Sequence, residues 1–253
     1  MQPLTWPDRE AAVATGFRGP MMLRSIRRLH ALAGLAGTLA LLALGGCAVA
    51  PHQEGTGRVV LSEPDAGDPA LQNLAVVRPG VLLRGAQPRA DREAGIDGYA
   101  RLIDQHHVRT IVDLTNTPVD NWIRRLPRDC SAMTPRQRDE IRHVRMPSLE
   151  PFPSRAKLVE LLRIARDPAN QPVYLHCAKG ENRTGALVAG YRVVVDGWDP
   201  ADAKAEATHF NELSIWKSDI DAFVDRVAAE RAAIEAELSG GGAGAPLTTD
   251  CAP

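Results

Sequence analysis

The chain has 253 residues, of which 44% are hydrophobic and 24% are charged, and its formal net charge is −1. This length and composition predict one sizeable core, with or without appendages, and the near-neutral charge lacks the positive field that nucleic-acid binding requires. Aromatic residues make up only 4% of the chain, which argues against a base-stacking surface. We therefore expect no nucleic-acid partner.

The N-terminal region has the pattern of an export signal. Arg24, Arg27 and Arg28 precede the apolar run ALAGLAGTLALLAL at 31–44, and LGGC follows, ending at Cys47. A basic segment, an apolar segment and small residues at a cleavage point define a secretory signal, and the apolar run is short for a membrane span. The ending resembles a bacterial lipobox. That resemblance implies that Cys47 is lipidated and that an acyl anchor holds the protein to a lipid membrane in the cell envelope, outside the cytoplasm (periplasm or outer membrane in a Gram-negative cell). An ordinary signal peptide and an uncleaved anchor are the alternatives.

Composition divides the chain into four parts. They are a signal region, a Gly- and Pro-rich tether, one folded domain and a low-complexity disordered tail, at 1–46, 47–72, 73–238 and 239–253. Because Met21 and Met22 lie just ahead of the basic cluster, residues 1–20 are either part of the signal region or an extension upstream of the true start.

Strand and helix patterns alternate within the domain. Short apolar or alternating segments predict strands at 80–85, 109–115, 141–147 and 172–176. Helical spacing and capping residues predict helices at 91–105, 154–166, 184–195 and 216–237, with another that starts at Pro200 after the cap Asp199. The last helix is expected to bury Trp216 and Phe223. The alternation predicts an α/β domain with a largely parallel sheet flanked by helices, whose ligands bind at the carboxyl ends of the strands.

The segment PVYLHCAKGENRTG at 172–185 places Cys177 at the end of a predicted strand. The chain then turns through 178–182 and enters a helix near Arg183. Successive backbone N–H groups in such a turn, together with the helix N-terminus, form an anion-binding loop. A cysteine at the base of this loop is stabilised as a thiolate. The sequence therefore predicts an anion site that contains a charged sulfur nucleophile.

The residues around this cysteine have distinct predicted roles. Arg183 offers two parallel N–H groups to phosphate oxygens, and Gly180 lets the backbone approach the anion. Thr184 is placed to hydrogen-bond the sulfur. His176 is expected to orient the loop, because a preformed thiolate needs no base. The predicted phosphate-binding residues are Ala178, Lys179, Gly180, Glu181, Asn182 and Arg183.

The loop has a pattern in which His-Cys is followed by five residues and then by Arg-Thr. This pattern resembles the signature of cysteine-dependent phosphatases of the tyrosine and dual-specificity class. LLRGAQP, TIVDLT and MPSLEPF extend the resemblance over about residues 77–210, towards the compact bacterial and atypical dual-specificity branch. The resemblance implies that branch's compact fold, a phosphocysteine intermediate at Cys177 and transition-state binding by Arg183. It also implies a phosphorylated protein or small phosphate ester as substrate, with no metal and no cofactor. A structural cysteine, a rhodanese-type sulfur transferase and a relative that binds phosphate without turnover are the alternatives.

The general acid is the least certain part of this pattern. In the family an acid, usually Asp, lies on a loop upstream of the cysteine and protonates the leaving oxygen. The corresponding stretch here, RMPSLEPFPS, contains no Asp, and Glu150 is its one carboxylate. We therefore predict Glu150 as the acid. Asp113, Asp120 or a leaving group that needs no acid are the alternatives.

Five other residues are less informative. Arg84 and Gln87, within RGAQP, are expected to pack a turn rather than border the pocket, and His209 is expected to be a surface or filler residue. Cys130 and Cys251 could pair outside the cytoplasm, although the tail position of Cys251 leaves that open. Metal-ligand spacings of the CxxC or HExxH type are absent from the sequence.

The charges of the loop bear on the substrate. Lys179 adds a cation, as in some inositol-phosphate and phosphoinositide phosphatases, whereas Glu181 adds an anion to the same small loop. This balance favours phosphotyrosine or another monophosphate ester over a polyphosphate. Inositol phosphates and phosphoinositides are the alternative substrates.

Overall fold

A computed structural model describes residues 68–91, 93–115, 129–148, 153–211, 214–240 and 251. Cys47, Asp120 and Glu150 lie outside this described part, as does the rest of the predicted signal region. Among the described residues, no helix has both the length and the apolar composition that crossing a membrane requires.

The described residues contain seven strands: β1 (Ala75–Arg78), β2 (Leu82–Ala86), β3 (Ala90–Asp91), β4 (Ile96–Asp97), β5 (Thr110–Asp113), β6 (Arg142–Arg145) and β7 (Val173–Cys177). Five of them form the main sheet in the order β1-β2-β7-β5-β6, and β3 pairs with β4 separately. β1 is antiparallel to β2, while the other three neighbouring pairs are parallel. The predicted α/β fold with a largely parallel sheet is confirmed.

The described helices are α1 (Gly98–Asp104), α2 (Asp129–Ala132), α3 (Pro135–Glu140), α4 (Arg155–Arg166), α5 (Asn182–Tyr191), α6 (Pro200–His209), α7 (Lys217–Ala229) and α8 (Arg231–Gly240). A 3₁₀ turn covers Pro168–Asn170, and a π-helical turn over Arg192–Asp196 continues α5. The caps follow the sequence signals. Asp199 accepts the N–H of Ala201 ahead of α6, and Ser154 accepts the N–H of Lys157 ahead of α4.

Two predicted helices differ from the structure. The segment 91–105 was expected to be one helix, but Gly95 at φ 66° turns the chain between β3 and β4, and α1 begins only after its cap Asp97. The segment 216–237 is two helices that meet at Glu230. Trp216 is 37% exposed and not buried as predicted, because it precedes the first turn of α7, whereas Phe223 packs in the core.

The sheet separates two hydrophobic clusters. Leu82, Val112 and Leu175 point to one side, where they pack with α4, α5, α6 and α7. The alternate strand residues Leu83, Ile111 and Tyr174 belong to the cluster on the other side, with α1. Strands buried on both faces give the continuous apolar runs that identified β5 and β7 in the sequence.

The second cluster contains residues that the sequence analysis assigned to the tether and the tail. Ala70 and Leu71 are fully buried there. Cys251 is also buried and forms a disulfide with Cys130, across a Cα–Cα distance of 5.4 Å. The structure thus differs from the expectation of a disordered tail at Cys251, because a covalent bond and apolar packing hold this residue. The pairing that the sequence left open is present.

Candidate active site

Cys177 is the last residue of β7 and the one free cysteine among those described. Its strand lies in the middle of the sheet, between β2 and β5. Cys177 is opposite Ala86 of β2, and it is 4% exposed. The sulfur therefore lies at the carboxyl end of a central parallel strand, where α/β sheets bind their ligands.

The surroundings of the Cys177 sulfur favour its charged form. Burial alone would raise the pKa of this thiol. The positive charge of Arg183, the hydroxyl and N–H of Thr184 and the N–H of Lys179 act in the opposite direction, and together they lower the pKa below its ordinary value. The Thr184 hydroxyl makes no other hydrogen bond among the described residues. The predicted thiolate cradle thus has its donors directed at the sulfur.

Side chains outside the loop after Cys177 donate hydrogen bonds to its carbonyl groups. Asn73 Nδ2 donates to the carbonyl oxygen of Lys179 at 2.8 Å, and Arg84 Nη2 donates to that of Gly180 at 2.7 Å. Because carbonyls and N–H groups point in opposite directions along a turn, donors outside the loop leave its N–H groups free to face the anion. The sequence did not identify Asn73, which carries no motif.

Gly180 is required by both conformation and space. Its φ of 72° lies in the left-handed region, and a Cβ built there would approach the backbone of Gly85 and Ala86 to within 2.4–2.6 Å. The predicted reason for this glycine was access of the backbone to the anion. The structure adds a second reason, which is close contact between the loop and β2.

Arg183 lies in the first turn of α5 and is partly exposed. Its Nη1 donates to the carbonyl oxygen of Leu114 at 2.8 Å, just beyond β5. One side of the guanidinium is thus fixed by the protein. The fork geometry of arginine can still present further N–H groups to an anion above the sulfur.

Side chains after α6 fix the outer rim of the loop. Asn211 Nδ2 donates to Glu181 Oε2 at 3.0 Å and to Asn182 Oδ1 at 3.2 Å. Ser214 Oγ donates to the same Asn182 oxygen at 2.6 Å. The exposed Lys179 and the buried Ala178 complete the loop. Asn211 and Ser214 were not predicted, since nothing in their local sequence indicates a contact with residues about thirty positions upstream.

His176, which was predicted to orient the loop, is fully buried beside it. Its Nδ1 lies 3.4 Å from the carbonyl oxygen of Cys177, and its ring stacks on that of Tyr174. Its Nε2 lies 4.0 Å from Asp113 Oδ1. These contacts place the imidazole behind the nucleophile, with its two nitrogens facing protein groups.

Within the part of the chain that the structure describes, two groups of side chains have potential metal-binding atoms within 4.8 Å of one another, Cys130-His143-Cys251 and Asp113-His143-His176. In the first group the two sulfurs are bonded to each other, so they cannot act as thiolate ligands. In the second, Asp113 Oδ1 accepts the N–H of Thr115 at 2.7 Å. We interpret this second group as a polar network that joins the ends of β5, β6 and β7.

The predicted acid Glu150 and its alternative Asp120 lie outside the described residues. The other alternative, Asp113, is 2% exposed, and its carboxylate faces Thr115, His143 and His176. This carboxylate also faces Arg145. A carboxyl group that is buried and already engaged by several protein groups is poorly suited to give a proton to a substrate, which argues against Asp113 as the acid.

The structure also shows the burial and contacts of three other residues that the sequence analysis named. Arg84 is fully buried against the loop, so its role in packing extends to the site itself. Gln87 is buried just after β2. His209 is exposed at the end of α6, with its ring edge-on to Phe210.

The fold and the loop agree with comparisons against known proteins. A family model described as "PTP-NADK: DSP-PTPase phosphatase fused to NAD+ Kinase" matches residues 71–224, which is more than half of the chain and includes the whole loop. The chain belongs to the DSP-PTPase phosphatase family. The recognition of a cysteine-dependent dual-specificity-type phosphatase from its loop is confirmed.

Individual proteins of Pseudomonas aeruginosa are similar to this chain. The dual specificity protein phosphatase TpbA of Pseudomonas aeruginosa strain PAO1 is 31% identical over 148 residues, which cover 57% of this chain and 56% of TpbA. The chain thus aligns with little more than half of this curated relative. The crystal structure of P. aeruginosa TpbA has a TM-score of 0.52 and 27% identity, covering 69% of this chain and 96% of that one. A cysteine-to-serine variant of TpbA in complex with phosphotyrosine has a TM-score of 0.50 and 26% identity, covering 72% and 97%.

Proposed function

We propose that this protein is a metal-independent phosphomonoester hydrolase that acts through a phosphocysteine intermediate on Cys177. The observation that carries the proposal is the sulfur itself. It is buried at the end of β7 and its pKa is lowered, while N–H groups of Lys179 and Thr184 and the charge of Arg183 are directed at it. Membership of the DSP-PTPase family supports the same chemistry.

In the first step the Cys177 thiolate attacks phosphorus and forms an S–P bond, while the bond from phosphorus to the leaving oxygen breaks. The leaving oxygen takes a proton from a general acid, for which we propose Glu150. Arg183 and the loop N–H groups bind the phosphoryl oxygens, whose charge is greatest in the transition state. The contact of Arg183 with Leu114 supports this role, because it orients the guanidinium in advance.

In the second step water attacks phosphorus, the S–P bond breaks and inorganic phosphate forms. The attacking water gives its proton to the carboxylate left by the first step. The electron pair of the S–P bond returns to sulfur, where the Thr184 hydroxyl and the N–H groups of Thr184 and Lys179 stabilise the thiolate. His176 holds the strand end through its contact with the Cys177 carbonyl group and acts as neither acid nor base.

For the substrate we propose phosphotyrosine or a similar monophosphate ester. Glu181 is hydrogen-bonded to Asn211 at the rim, so its negative charge stays beside the loop and offsets the exposed Lys179. A site with this balance has little excess positive charge for a polyphosphate. The TpbA variant in complex with phosphotyrosine supports a phosphate ester of this class. Inositol phosphates and phosphoinositides are the competing substrates.

We also propose that residues 1–46 direct the protein to the cell envelope and that Cys47 carries an acyl anchor. The support is the lipobox-like LGGC ending and the disulfide between Cys130 and Cys251, a bond that forms and persists outside a reducing cytoplasm. Cys47→Ser in the full-length chain should move the protein from the membrane fraction to the soluble fraction. Unchanged fractionation, or no acyl mass on Cys47, would contradict the anchor.

The direct test of the chemistry is hydrolysis of p-nitrophenyl phosphate in buffer that contains EDTA. Turnover should persist with the chelator, stop with Cys177→Ser and be inhibited by vanadate. A ³²P-labelled phosphoprotein trapped by acid quench should carry its label on Cys177. If the protein binds vanadate but never turns over, it is instead a phosphate-binding lipoprotein. A parallel screen with phosphotyrosine peptides, phosphoserine peptides, inositol phosphates and phosphoinositides identifies the substrate class.

A further inference from the structure

A second arginine lies beneath the catalytic loop, on β2. Arg84 is fully buried. Its Nη2 donates to the carbonyl oxygen of Gly180, and its guanidinium lies 3.5 Å from the centre of the Phe210 ring. Its Nε and Nη1 have no hydrogen-bond partner in the described part of the chain. A buried cation with two unpaired donors is costly, so its presence points to a specific role.

The first part of that role is mechanical. Gly180 is pressed so closely against Gly85 and Ala86 that a Cβ would collide with them. Its carbonyl group therefore faces β2 and away from water, where it needs a protein donor. Arg84, on the same strand as Gly85, supplies that donor. The stacking on Phe210, at the end of α6, keeps the guanidinium plane in place.

The second part is electrostatic. Burial lowers the pKa of Arg84 to about 10, although the charges of Glu206 and Cys177 oppose this, so the side chain stays protonated at neutral pH. The attraction between Arg84 and the Cys177 thiolate is mutual, and a charged Arg84 must favour the charged sulfur. Glu206, the opposite charge that acts most strongly on Arg84, is shared with Arg192, from which both of its carboxylate oxygens accept hydrogen bonds.

Other charged or titratable groups near Cys177 in the described part of the chain come from several elements. Arg183 is on α5, Asp113 ends β5, and His176 precedes Cys177 on β7. The loop itself adds the exposed Lys179 and also Glu181, which is hydrogen-bonded to Asn211. Arg183 contributes a charge from the open side of the loop, where it is shared with substrate. Arg84 contributes one from the closed side, which substrate does not reach.

We propose that Arg84 is a positioning residue for the catalytic loop: it holds the Gly180 carbonyl group from behind and supplies a permanent, substrate-independent positive charge that favours the Cys177 thiolate. The role rests on the proposed function only in that it concerns the same sulfur. It is measurable without turnover, from the reactivity of the thiol.

The test compares Arg84→Met, Arg84→Lys and Arg84→Gln with the wild-type protein and with Arg78→Met. Met keeps the length without charge or donor, Lys keeps the charge, and Gln keeps a neutral donor. Arg78→Met is the matched control, because Arg78 is on the neighbouring strand β1 and its guanidinium pairs with Asp196, whereas that of Arg84 binds the Gly180 carbonyl group. Thermal unfolding and circular dichroism show which variants remain folded.

The main measurement is the rate of iodoacetamide alkylation of Cys177 between acid and alkaline pH. Arg84→Met should move the midpoint upward by about one unit, a tenfold smaller thiolate fraction below the midpoint. Arg84→Gln should raise the midpoint nearly as far. Arg84→Lys, which keeps the charge, should have a midpoint close to that of the wild-type protein. Vanadate should protect the Met variant about tenfold less well, because the loop is less fixed. Arg78→Met should lower the unfolding temperature and leave the alkylation midpoint unchanged.

The proposal is overturned if folded Arg84→Met or Arg84→Gln has the wild-type midpoint, or if Arg78→Met shifts it equally. If Arg84→Met does not fold, the alkylation midpoints of Arg84→Lys and Arg84→Gln are compared instead. Equal midpoints in these two variants would contradict a role for the charge. If wild-type Cys177 alkylates with a shifted midpoint but no phosphate ester is hydrolysed, the proposed function fails while this test remains valid.

Discussion

Arg183 donates to the carbonyl oxygen of Leu114 at 2.8 Å, across the gap between α5 and the end of β5. The arginine that we propose as catalytic is therefore oriented by the neighbouring strand before substrate arrives, and little side-chain freedom remains to be lost in the transition state. Preorganised charge of this kind is usually the largest single contribution to catalysis.

Arg183→Lys should retain a positive charge but lose most of the activity. A lysine ammonium cannot donate to Leu114 and also bind two phosphate oxygens in a fixed plane. We expect kcat for p-nitrophenyl phosphate to fall by about 10²–10³-fold, with a smaller effect on KM. Arg163→Lys, at an exposed ion pair on α4, serves as control and should retain wild-type kinetics. A loss below about tenfold for Arg183→Lys would show that simple charge is sufficient.

The pH dependence of the Cys177 thiol follows from its lowered pKa. A thiol is charged above its pKa, so alkylation and kcat/KM should rise as the pH passes upward through a value below the ordinary one of about 8.5. The folded protein gains stability from this group above the unfolded pKa and loses it as pH falls through the folded pKa. The same protein in concentrated urea is the control, and its alkylation midpoint should return to the ordinary range. Equal midpoints in the two states would contradict a stabilised thiolate.

Gly180→Ala should damage both stability and catalysis. The alanine Cβ would meet the backbone of Gly85 and Ala86, which cannot move without distorting β2. Gly95→Ala is the matched control, because Gly95 also has a positive φ, 66°, but has no atom within 4 Å of the added Cβ. Gly95→Ala should cost about 1–2 kcal/mol of unfolding free energy, and Gly180→Ala more than that. Urea titration measures the unfolding free energy of both variants. An equal loss of unfolding free energy in the two variants would mean that the loop is not tightly packed on β2.

Removal of the disulfide should destabilise the domain. Cys130 and Cys251 are 121 positions apart, so their bond restricts much of the unfolded chain. Cys130→Ser combined with Cys251→Ser should lower the unfolding free energy by about 2–4 kcal/mol. Wild-type protein kept in reductant should match the double variant. Unchanged stability after reduction would mean that the bond contributes nothing to the native state.

Glu150→Gln should discriminate between leaving groups. p-Nitrophenol leaves with little need for a proton, whereas an alkyl alkoxide must be protonated as it departs. The variant should hydrolyse p-nitrophenyl phosphate almost normally and alkyl phosphates about 10²-fold more slowly. Glu160→Gln, on the exposed part of α4, is a control with no expected effect on either substrate. Equal losses on both substrates would remove Glu150 from the role of acid.

Local sequence predicted the parts of this fold that neighbouring residues determine. The cap at Asp199, the apolar strands β5 and β7 and the loop after Cys177 each depend on a few consecutive residues. The helix predicted over 91–105 is present only from Gly98 to Asp104. Its first part is a turn between two short strands, because the positive φ of Gly95 does not fit a helix.

Contacts made at long range could not be predicted. The loop is contacted from three separate parts of the chain, by Asn73, by Arg84 and by the pair Asn211 and Ser214. Their side chains are ordinary hydrogen-bonding groups, so only the arrangement of β2, β7 and α6 reveals which backbone oxygen or amide they meet. The pairing of Cys251 with Cys130 is of the same kind, since the tail sequence gives no sign that the chain returns to the core.

The position of β7 has a consequence for how the nucleophile is protected. The strand is hydrogen-bonded to β2 on one side and to β5 on the other, so Cys177 does not lie on a sheet edge that can fray. Amide protons of Tyr174 and Leu175 should exchange with solvent deuterium only when the whole domain unfolds. Oxidants and alkylating reagents that reach the sulfur must therefore enter by the route that substrate takes.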